Sequence, residues 1–151
     1  QVAQQYLSQN DHSLFKALSL EMPGEYSGLV TSTSYFNVIC PYASRFAYET
    51  WIVPRNLKTH FDHSSDQELD DLAALSRRLL LALEEILRSH DFNFVIQTPP
   101  FSTEEESGYT WSMRIYPRLA HLAGFELASN MFINSVFPEL AIESLKKQLE
   151  T

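Results

Sequence analysis

The chain has 151 residues and a mass of 17.4 kDa, which suits one domain with a single buried core. Hydrophobic residues make up 44% and charged residues 20% of it, a composition typical of globular domains and not of disordered chains. Eleven basic and nineteen acidic side chains leave a net charge of −8, so we expect no nucleic-acid partner, because phosphates would be repelled. Four glycines and one cysteine exclude a glycine-rich phosphate loop, an internal disulfide and a multi-cysteine zinc site.

The sequence gives no indication of a membrane or secreted protein. No apolar run approaches the roughly 18 residues of a membrane span, and we identify no signal peptide. A single thiol favours a reducing compartment, so we expect a cytoplasmic protein without a membrane partner. The first residue is Gln1 and not Met, which we interpret as the start of a piece of a longer protein.

Turn residues divide the first part of the chain into a helix and three strands. The apolar spacing over 1–22 predicts a helix, which ends before a Pro-Gly turn. Runs rich in β-branched and aromatic residues predict strands over 27–33, 35–40 and 46–53. Pro54 is expected to end the third strand.

The clearest local pattern predicts a long helix over 66–88. Ser65 and Glu68 form a capping-box sequence, in which the hydroxyl and the carboxylate satisfy free backbone amides. Acidic residues near the start and Arg88 near the end suit the helix dipole. The helix carries one apolar stripe, interpreted as core packing, which comprises Leu69, Leu72, Leu75, Leu79, Leu83 and Ile86.

Two more strands and a helix are predicted after the long helix. The first strand covers 91–98, and the second covers 109–116. One face of the first strand is apolar and consists of Phe92, Phe94 and Ile96. The glutamates at 104–106 are interpreted as a solvated loop, and a last helix begins at Pro138. This order predicts an α+β fold in one domain over 1–151, with a mainly antiparallel sheet, a long crossover helix and flanking helices.

The strand at 109–116 alternates between apolar and polar side chains. Its apolar face consists of Tyr109, Trp111, Met113 and Ile115. Its polar face consists of Thr110, Ser112 and Arg114, and Arg118 follows shortly afterwards. One interpretation of the polar face is an ordinary solvent-facing surface. The other is a binding surface for an anionic ligand, because hydroxyls and guanidinium groups suit phosphate oxygens.

The histidines and the cysteine form no recognised catalytic motif. His60 and His63 lie close to Asp62, a set that is either a metal-binding cluster or a solvated loop, and we favour the loop. Cys40 ends an apolar strand and is interpreted as a buried, unreactive thiol. A small hydrolase that uses a histidine is disfavoured, because the polar strand carries none.

Several segments resemble galactose-1-phosphate uridylyltransferases, in the same order as in that family. The segment at 40–55 reads CPYASRFAYETWIVPR, and the one at 109–119 reads YTWSMRIYPRL. Shorter similar segments lie at 98–101, 123–127 and 134–140, and the resemblance extends over about 12–148. These enzymes belong to the histidine-triad superfamily and contain two copies of its fold. This chain resembles the second, C-terminal copy.

The resemblance implies that the catalytic histidine lies outside this chain. In the family the His-Pro-His nucleophile belongs to the first copy, and no such motif occurs here. The second copy usually carries histidines on its polar strand and before its Pro-Pro turn, and these can hold a metal. At the matching positions this chain has Gln97, Thr110, Ser112 and Arg114. Ser13 and Lys16 stand where relatives have a cysteine pair, so we expect no metal, no cofactor and no catalytic residue.

The same resemblance implies contact with a nucleotide sugar, which is a UDP-hexose in this family. Phe125 and Glu126 match an aromatic residue and a glutamate that contact the sugar nucleotide, the glutamate accepting from hexose hydroxyls. Together with the polar strand they give the predicted substrate-binding set: Thr110, Ser112, Arg114, Arg118, Phe125 and Glu126. The resemblance also implies a homodimer and a place in galactose metabolism.

The sequence leaves two functions open. The first is the C-terminal half of a galactose-1-phosphate uridylyltransferase-like nucleotidyltransferase, which contributes to nucleotide-sugar binding and dimerisation but lacks the nucleophile. The alternative is a degenerate, non-catalytic histidine-triad-like module for binding or dimerisation, which the missing histidines favour. A His-Pro-His motif upstream of Gln1 would distinguish the two.

Overall fold

The computed structural model describes residues 28–56, 58–88, 91–100, 102, 109–119 and 123–150. The predicted helix at 1–22, Ser13, Lys16 and the glutamates at 104–106 lie outside these residues. The strands in the described part of the chain are β1 (Leu29–Ser32), β2 (Phe36–Ile39), β3 (Thr50–Pro54), β4 (Phe92–Gln97) and β5 (Ser112–Pro117). Its helices are α1 (Asp66–Leu87), α2 (Gly124–Ser129) and α3 (Pro138–Leu149), and a 3₁₀ turn at Phe61–His63 precedes α1.

The strands form one antiparallel sheet in the order β1-β2-β3-β5-β4. The first three strands follow one another directly. Helix α1 then leads from β3 to β4 at the far edge, and β5 returns between these two strands. The predicted α+β fold, with its antiparallel sheet and long crossover helix, is confirmed.

The strand predicted over 46–53 is too long at its start, because the first four of these residues form a turn before β3. The Glu49 carboxylate accepts hydrogen bonds from the backbone N–H groups of Arg45 (2.7 Å) and Phe46 (3.4 Å). Tyr48 in the same turn has a left-handed φ of 59°, which a regular strand does not allow. A buried side chain therefore closes a turn where the β-rich composition predicted a strand.

The strand predicted over 109–116 likewise begins later, with β5. The carbonyl of Lys58 accepts hydrogen bonds from the Thr110 hydroxyl (2.7 Å) and the Trp111 N–H (3.1 Å). These two residues therefore bind the segment before α1 and do not extend the strand ladder. The predicted apolar face is confirmed for Trp111, Met113 and Ile115, which pack in one core cluster. It is wrong for Tyr109, which lies before β5 and packs against Ile39 and Val53 instead.

Helix α1 begins with the predicted capping box. The Glu68 N–H donates to the Ser65 hydroxyl (3.4 Å), and the Ser65 N–H donates to the Glu68 carboxylate (2.7 Å). The same carboxylate pairs with the ammonium group of Lys58 at 2.6 Å. The stripe is buried at Leu72, Leu75, Leu79 and Leu83. Leu69 is 38% exposed, because the first turn serves the cap and the ion pair rather than the core.

The main core lies between one face of the sheet and helices α1 and α3. The sheet side contributes Phe36, Val38, Ile52, Trp111 and Ile115, and α3 contributes Ala141, Ile142 and Leu145. The Trp111 ring meets the rings of Phe36 and Phe61 edge to face, at 5.8 and 4.9 Å. None of the helices within the described ranges is long and apolar enough to cross a membrane.

Strand β4 forms one edge of the sheet and is exposed along its whole length. Its register places Phe92, Phe94 and Ile96 opposite Pro117, Ile115 and Met113 of β5. The three apolar residues therefore share one face, as predicted, and it is the face that α1 and α3 cover further along the sheet. The helices do not bury them, and Phe94 is 56% exposed.

Replacing Glu68 with Gln is expected to lower the free energy of unfolding by about 1–2 kcal/mol near pH 7. The hydrogen bond from Lys58, with that from the Ser65 N–H, lowers the pKa of the Glu68 carboxyl below its ordinary value of 4.5. This stabilisation is therefore present above pH 4.5 and is lost as the pH falls through the lowered pKa. Urea unfolding at several pH values measures the difference between variant and wild type, which should shrink in acid. Glu85→Gln, on the exposed side of α1, is the control and should change little.

Candidate functional site

Cross-strand pairs place a row of side chains across the face of the sheet opposite α1 and α3, which we call the second face. From one edge to the other the row is Leu29, Ile39, Trp51, Arg114 and Val95. Paired residues of an antiparallel sheet point to the same side. A single cation thus lies in an otherwise apolar row, next to the tryptophan.

Arg114 is held in this row by a ring and a hydroxyl. Its guanidinium carbon lies 3.9 Å from the centroid of a Trp51 ring, and its Nε donates to the Ser112 hydroxyl at 3.1 Å. Trp51 in turn donates its indole N–H to the Glu49 carboxylate at 2.8 Å. The terminal guanidinium nitrogens find no acceptor among the described residues. A half-buried guanidinium with unpaired N–H groups is suited to bind an anion.

The two hydroxyls predicted for the anion surface are buried and already bonded. Thr110 and Ser112 are each 1% exposed. Thr110 donates to the Lys58 carbonyl, and Ser112 accepts from Arg114. Thr110 therefore anchors the start of β5, and Ser112 orients the arginine. Direct contact of either hydroxyl with a ligand stays a prediction.

A cavity of about 740 Å³ lies beside β4 and the end of β5, between α2 and the turn before β3. Its polar lining consists of Arg45, Asn93, Arg118, Glu126 and Ser135. Its aromatic lining consists of Phe46, Phe94, Tyr116 and Phe132. A volume of this size is typical of sites for small organic ligands.

The aromatic side of the cavity is a packed cluster. The Phe46 ring meets Tyr116 at 5.5 Å and Phe132 at 5.4 Å, both edge to face. The guanidinium of Arg45 lies 5.3 Å from the Phe132 ring centroid. The cavity therefore combines a positive charge with ring surfaces, which suits a ligand that has both an anionic group and an aromatic or sugar ring.

Two of the predicted substrate-binding residues meet in this cavity, namely Arg118 and Glu126. The Arg118 N–H donates to the Asp91 carbonyl at 2.8 Å, which continues the pairing of β5 with β4. One oxygen of Glu126 accepts from the Ala123 N–H at 3.1 Å, and the other has no partner in the described part of the chain. Phe125 is exposed on α2 and does not line the cavity.

The sequence did not point to Arg45, Phe46 or Phe132 as site residues. The first two lie in the segment whose composition predicted a strand, and a cation beside an aromatic residue was the available signal for them. Phe132 reaches the cluster only because the chain after α2 returns to the turn before β3. No local pattern predicts such a contact.

Among the described residues, the remaining histidines and the cysteine form no metal-binding cluster. The rings of His60 and His63 lie 5.4 Å apart. Across the described ranges no group of three or more His, Cys, Asp or Glu side chains is placed to hold a metal ion. Cys40 is buried, as predicted, with its sulfur 3.9 Å from the Thr50 hydroxyl.

The sheet and helices define the class of this protein, which has the histidine-triad-like fold. A zinc-bound histidine triad family protein from Mycobacterium smegmatis matches it with a TM-score of 0.57 and 17% identity, over 81% of this chain and 83% of that one. A GalT-like protein from Arabidopsis thaliana matches with a TM-score of 0.86 and 24% identity, over 96% of this chain and 47% of that one.

Within this class the chain is homologous to ADP-glucose phosphorylase and GalT-like proteins, which are members of the histidine-triad superfamily, and it matches their structures as one GalT-like domain. ADP-glucose phosphorylase from Arabidopsis thaliana is 34% identical over 113 residues, which are 74% of this chain and 32% of that protein. A crystal structure of an ADP-glucose phosphorylase from the same plant, with bound ADP-glucose, has a TM-score of 0.85 and 28% identity, over 96% of this chain and 46% of that one. No family model matches the chain. The chain spans about a third of the curated relative and about half of the plant structures.

Cys40 is expected to resist alkylation in the folded protein. Burial, together with the nearby Glu49 carboxylate, raises the pKa of the thiol to about 12, despite the opposing hydrogen bond with Thr50. The reactive thiolate is therefore scarce at neutral pH. Labelling by iodoacetamide, followed by mass spectrometry, should be slow in buffer and fast in urea. Rapid labelling of the native protein would show that the thiol is accessible.

Proposed function

We propose that the chain is the C-terminal half of a galactose-1-phosphate uridylyltransferase-like nucleotidyltransferase and forms part of its nucleotide-sugar site. The observation that carries this proposal is the single cavity lined by both Arg118 and Glu126. A nucleotide sugar presents phosphate oxygens and sugar hydroxyls close together. A guanidinium donates to the first, and a free carboxylate oxygen accepts from the second.

Two further arginines support the same assignment. Arg45 lines the cavity, and Arg114 is paired with Val95, which also lines it. Two guanidinium groups that line the cavity, with a third on the neighbouring strand position, offset the overall acidic charge of the chain at this place. Ser112 is bonded to Arg114 of the same strand, and Phe125 precedes Glu126 on α2. Ser112, Phe125 and Thr110 therefore stay predicted contacts of the proposed site.

The proposed role is binding and not the covalent step. The resemblance matches Thr110, Ser112 and Arg114 to the positions of the family's strand histidines. The Ser112 hydroxyl is buried against the arginine, and a guanidinium stays protonated and cannot act as a base. We therefore place the nucleophile outside these 151 residues. Because a relative was crystallised with ADP-glucose, an adenine nucleotide sugar is tested beside the UDP-hexoses that the resemblance implies.

The proposed dimer contact is the exposed edge of β4. Four of its six residues are large and apolar, namely Phe92, Phe94, Val95 and Ile96, and they are 36–56% exposed. Within the described residues β4 pairs only with β5, so its outer backbone groups are free to pair with another strand. A second copy of the chain supplies the same edge and closes a two-fold interface.

A non-catalytic module is the second candidate, and the buried, internally bonded hydroxyls of Thr110 and Ser112 favour it. Such a module would keep the β4 contact and bind no nucleotide sugar. A cytoplasmic location and a role in galactose metabolism stay predictions from the sequence in either case.

Replacing Arg114 and Arg118 together with Ala is expected to weaken nucleotide-sugar binding at least about tenfold, because two charge-assisted contacts to phosphate are lost. Thermal unfolding with UDP-glucose, UDP-galactose, ADP-glucose, UMP and AMP tests binding first, since a ligand of the folded state raises the midpoint. Calorimetry with the ligand that gives the largest rise then measures the affinities of variant and wild type.

The matched control is the double replacement of Arg77 and Arg78 with Ala. Both are exposed on α1, so the control removes the same charge away from the cavity. Its affinity should equal that of the wild type. Equal affinities of the site variant and the wild type would rule out these arginines as phosphate ligands, and no rise with any ligand would favour the non-catalytic module.

Ile96→Lys is expected to weaken self-association, because a lysine on an edge strand opposes pairing with another strand. Sedimentation equilibrium of wild type and variant over a range of concentrations measures this. Thr31→Lys, on the opposite edge strand β1, is the matched control and should associate like the wild type. A monomeric wild type, or a variant that associates equally well, would contradict the β4 interface.

A further inference from the structure

Glu49 is a buried carboxylate whose partners are all neutral donors. It is 4% exposed. One oxygen accepts from the Trp51 indole N–H at 2.8 Å, and the other accepts from the N–H groups of Arg45 at 2.7 Å and Phe46 at 3.4 Å. No ion pair balances its charge among the described residues. Since burying a charge is costly unless its hydrogen bonds are satisfied, these three bonds hold the surrounding groups in fixed positions.

The bond to Trp51 acts on Arg114. Glu49 and Trp51 are two residues apart along the chain, and the Trp51 ring lies under the guanidinium at 3.9 Å. A hydrogen bond to an anion fixes the plane of the indole. It also draws electron density into the ring, because hydrogen-bonded groups polarise one another. Both effects favour a cation above the ring face.

The bonds to the backbone act on the other side of the site. They close the turn that carries Arg45 and Phe46, which line the cavity. One oxygen of Glu49 therefore acts on Arg114 of the sheet through the Trp51 ring. The other oxygen acts on Arg45 of the turn through the backbone.

We propose that Glu49 is a positioning residue for anion binding: it orients Arg114 through the Trp51 ring and fixes the turn that bears Arg45. The inference rests on the proposed function in that the anion is the phosphate of a nucleotide sugar. Glu49 does not touch the ligand in this assignment. Its negative charge is satisfied by the three N–H groups, which leaves the terminal nitrogens of Arg114 to the ligand.

A nitrogen-15 NMR spectrum of the full chain tests the orientation without any ligand. The Nε–H signal of Arg114, identified by its loss in Arg114→Ala, should be displaced by the ring current of Trp51 and protected by the bond to Ser112. In Glu49→Gln it should move towards the position of a free arginine. Trp51→Phe keeps a ring but removes the N–H, and it should move the signal in the same direction even if Glu49→Gln does not fold.

A binding cycle tests the consequence with ADP-glucose and UDP-glucose as probes. Glu49→Gln should weaken binding roughly tenfold in the wild type and less in the Arg114→Ala background, because only its effect on the turn that bears Arg45 remains there. Glu85→Gln, which removes a carboxylate on the exposed side of α1, should leave the affinity unchanged. A full loss of affinity in both backgrounds would mean a general structural role for Glu49.

The positioning role of Glu49 and the nucleotide-sugar assignment can be overturned independently of each other. An Nε–H signal that is unchanged in both Glu49→Gln and Trp51→Phe overturns the positioning role, whatever the affinities are. A displaced signal in a wild type that binds neither probe upholds the orientation of Arg114 by Glu49 and overturns the nucleotide-sugar assignment.

Discussion

Lys58 joins the two elements on which the site depends. Its ammonium group pairs with the Glu68 carboxylate at 2.6 Å and so holds the start of α1. Its carbonyl accepts from Thr110 and Trp111 and so holds the approach to β5. Strand β5 carries Arg114, and its end lines the cavity. The segment between β3 and α1 that contains Lys58 therefore helps to determine where the site residues lie.

The second face contains buried polar and charged side chains, whereas the main core is apolar. The core side of β5 buries Trp111 and Ile115 among apolar rings and leucines. On the second face a buried carboxylate, an indole and an arginine follow one another, and the terminal N–H groups of the arginine have no acceptor within the described ranges. A guanidinium repels metal ions and attracts phosphate. Arg114 therefore suits this face to an anion rather than to a metal.

The exposed β4 and the open cavity lie side by side, since Asn93, Phe94 and Val95 belong to both. A strand with this much apolar surface is unusual at a free edge, because such edges favour aggregation. The chain spans only about half of the related plant structures. An additional protein surface at this edge would cover the apolar side chains and also complete one wall of the cavity.

Much of the fold was predictable from the sequence. Ser65 and Glu68 marked the start of α1, and the alternation along 109–116 separated its two faces, because caps and strand periodicity involve residues within about four positions of each other. The polar pattern along and after β5 predicted Arg118, and the family resemblance predicted Glu126; the structure brings the two into one cavity.

The tertiary structure alone decided the rest. It placed a turn closed by Glu49 at the first four residues of the strand predicted over 46–53, added Arg45 and Phe132 to the site, and left β4 exposed. These features depend on contacts between segments far apart in the chain and on which layers cover which strand. The sequence by itself determined which side chains share a face, whereas the packing of distant segments determined which of those faces is buried and where a cavity is left between them.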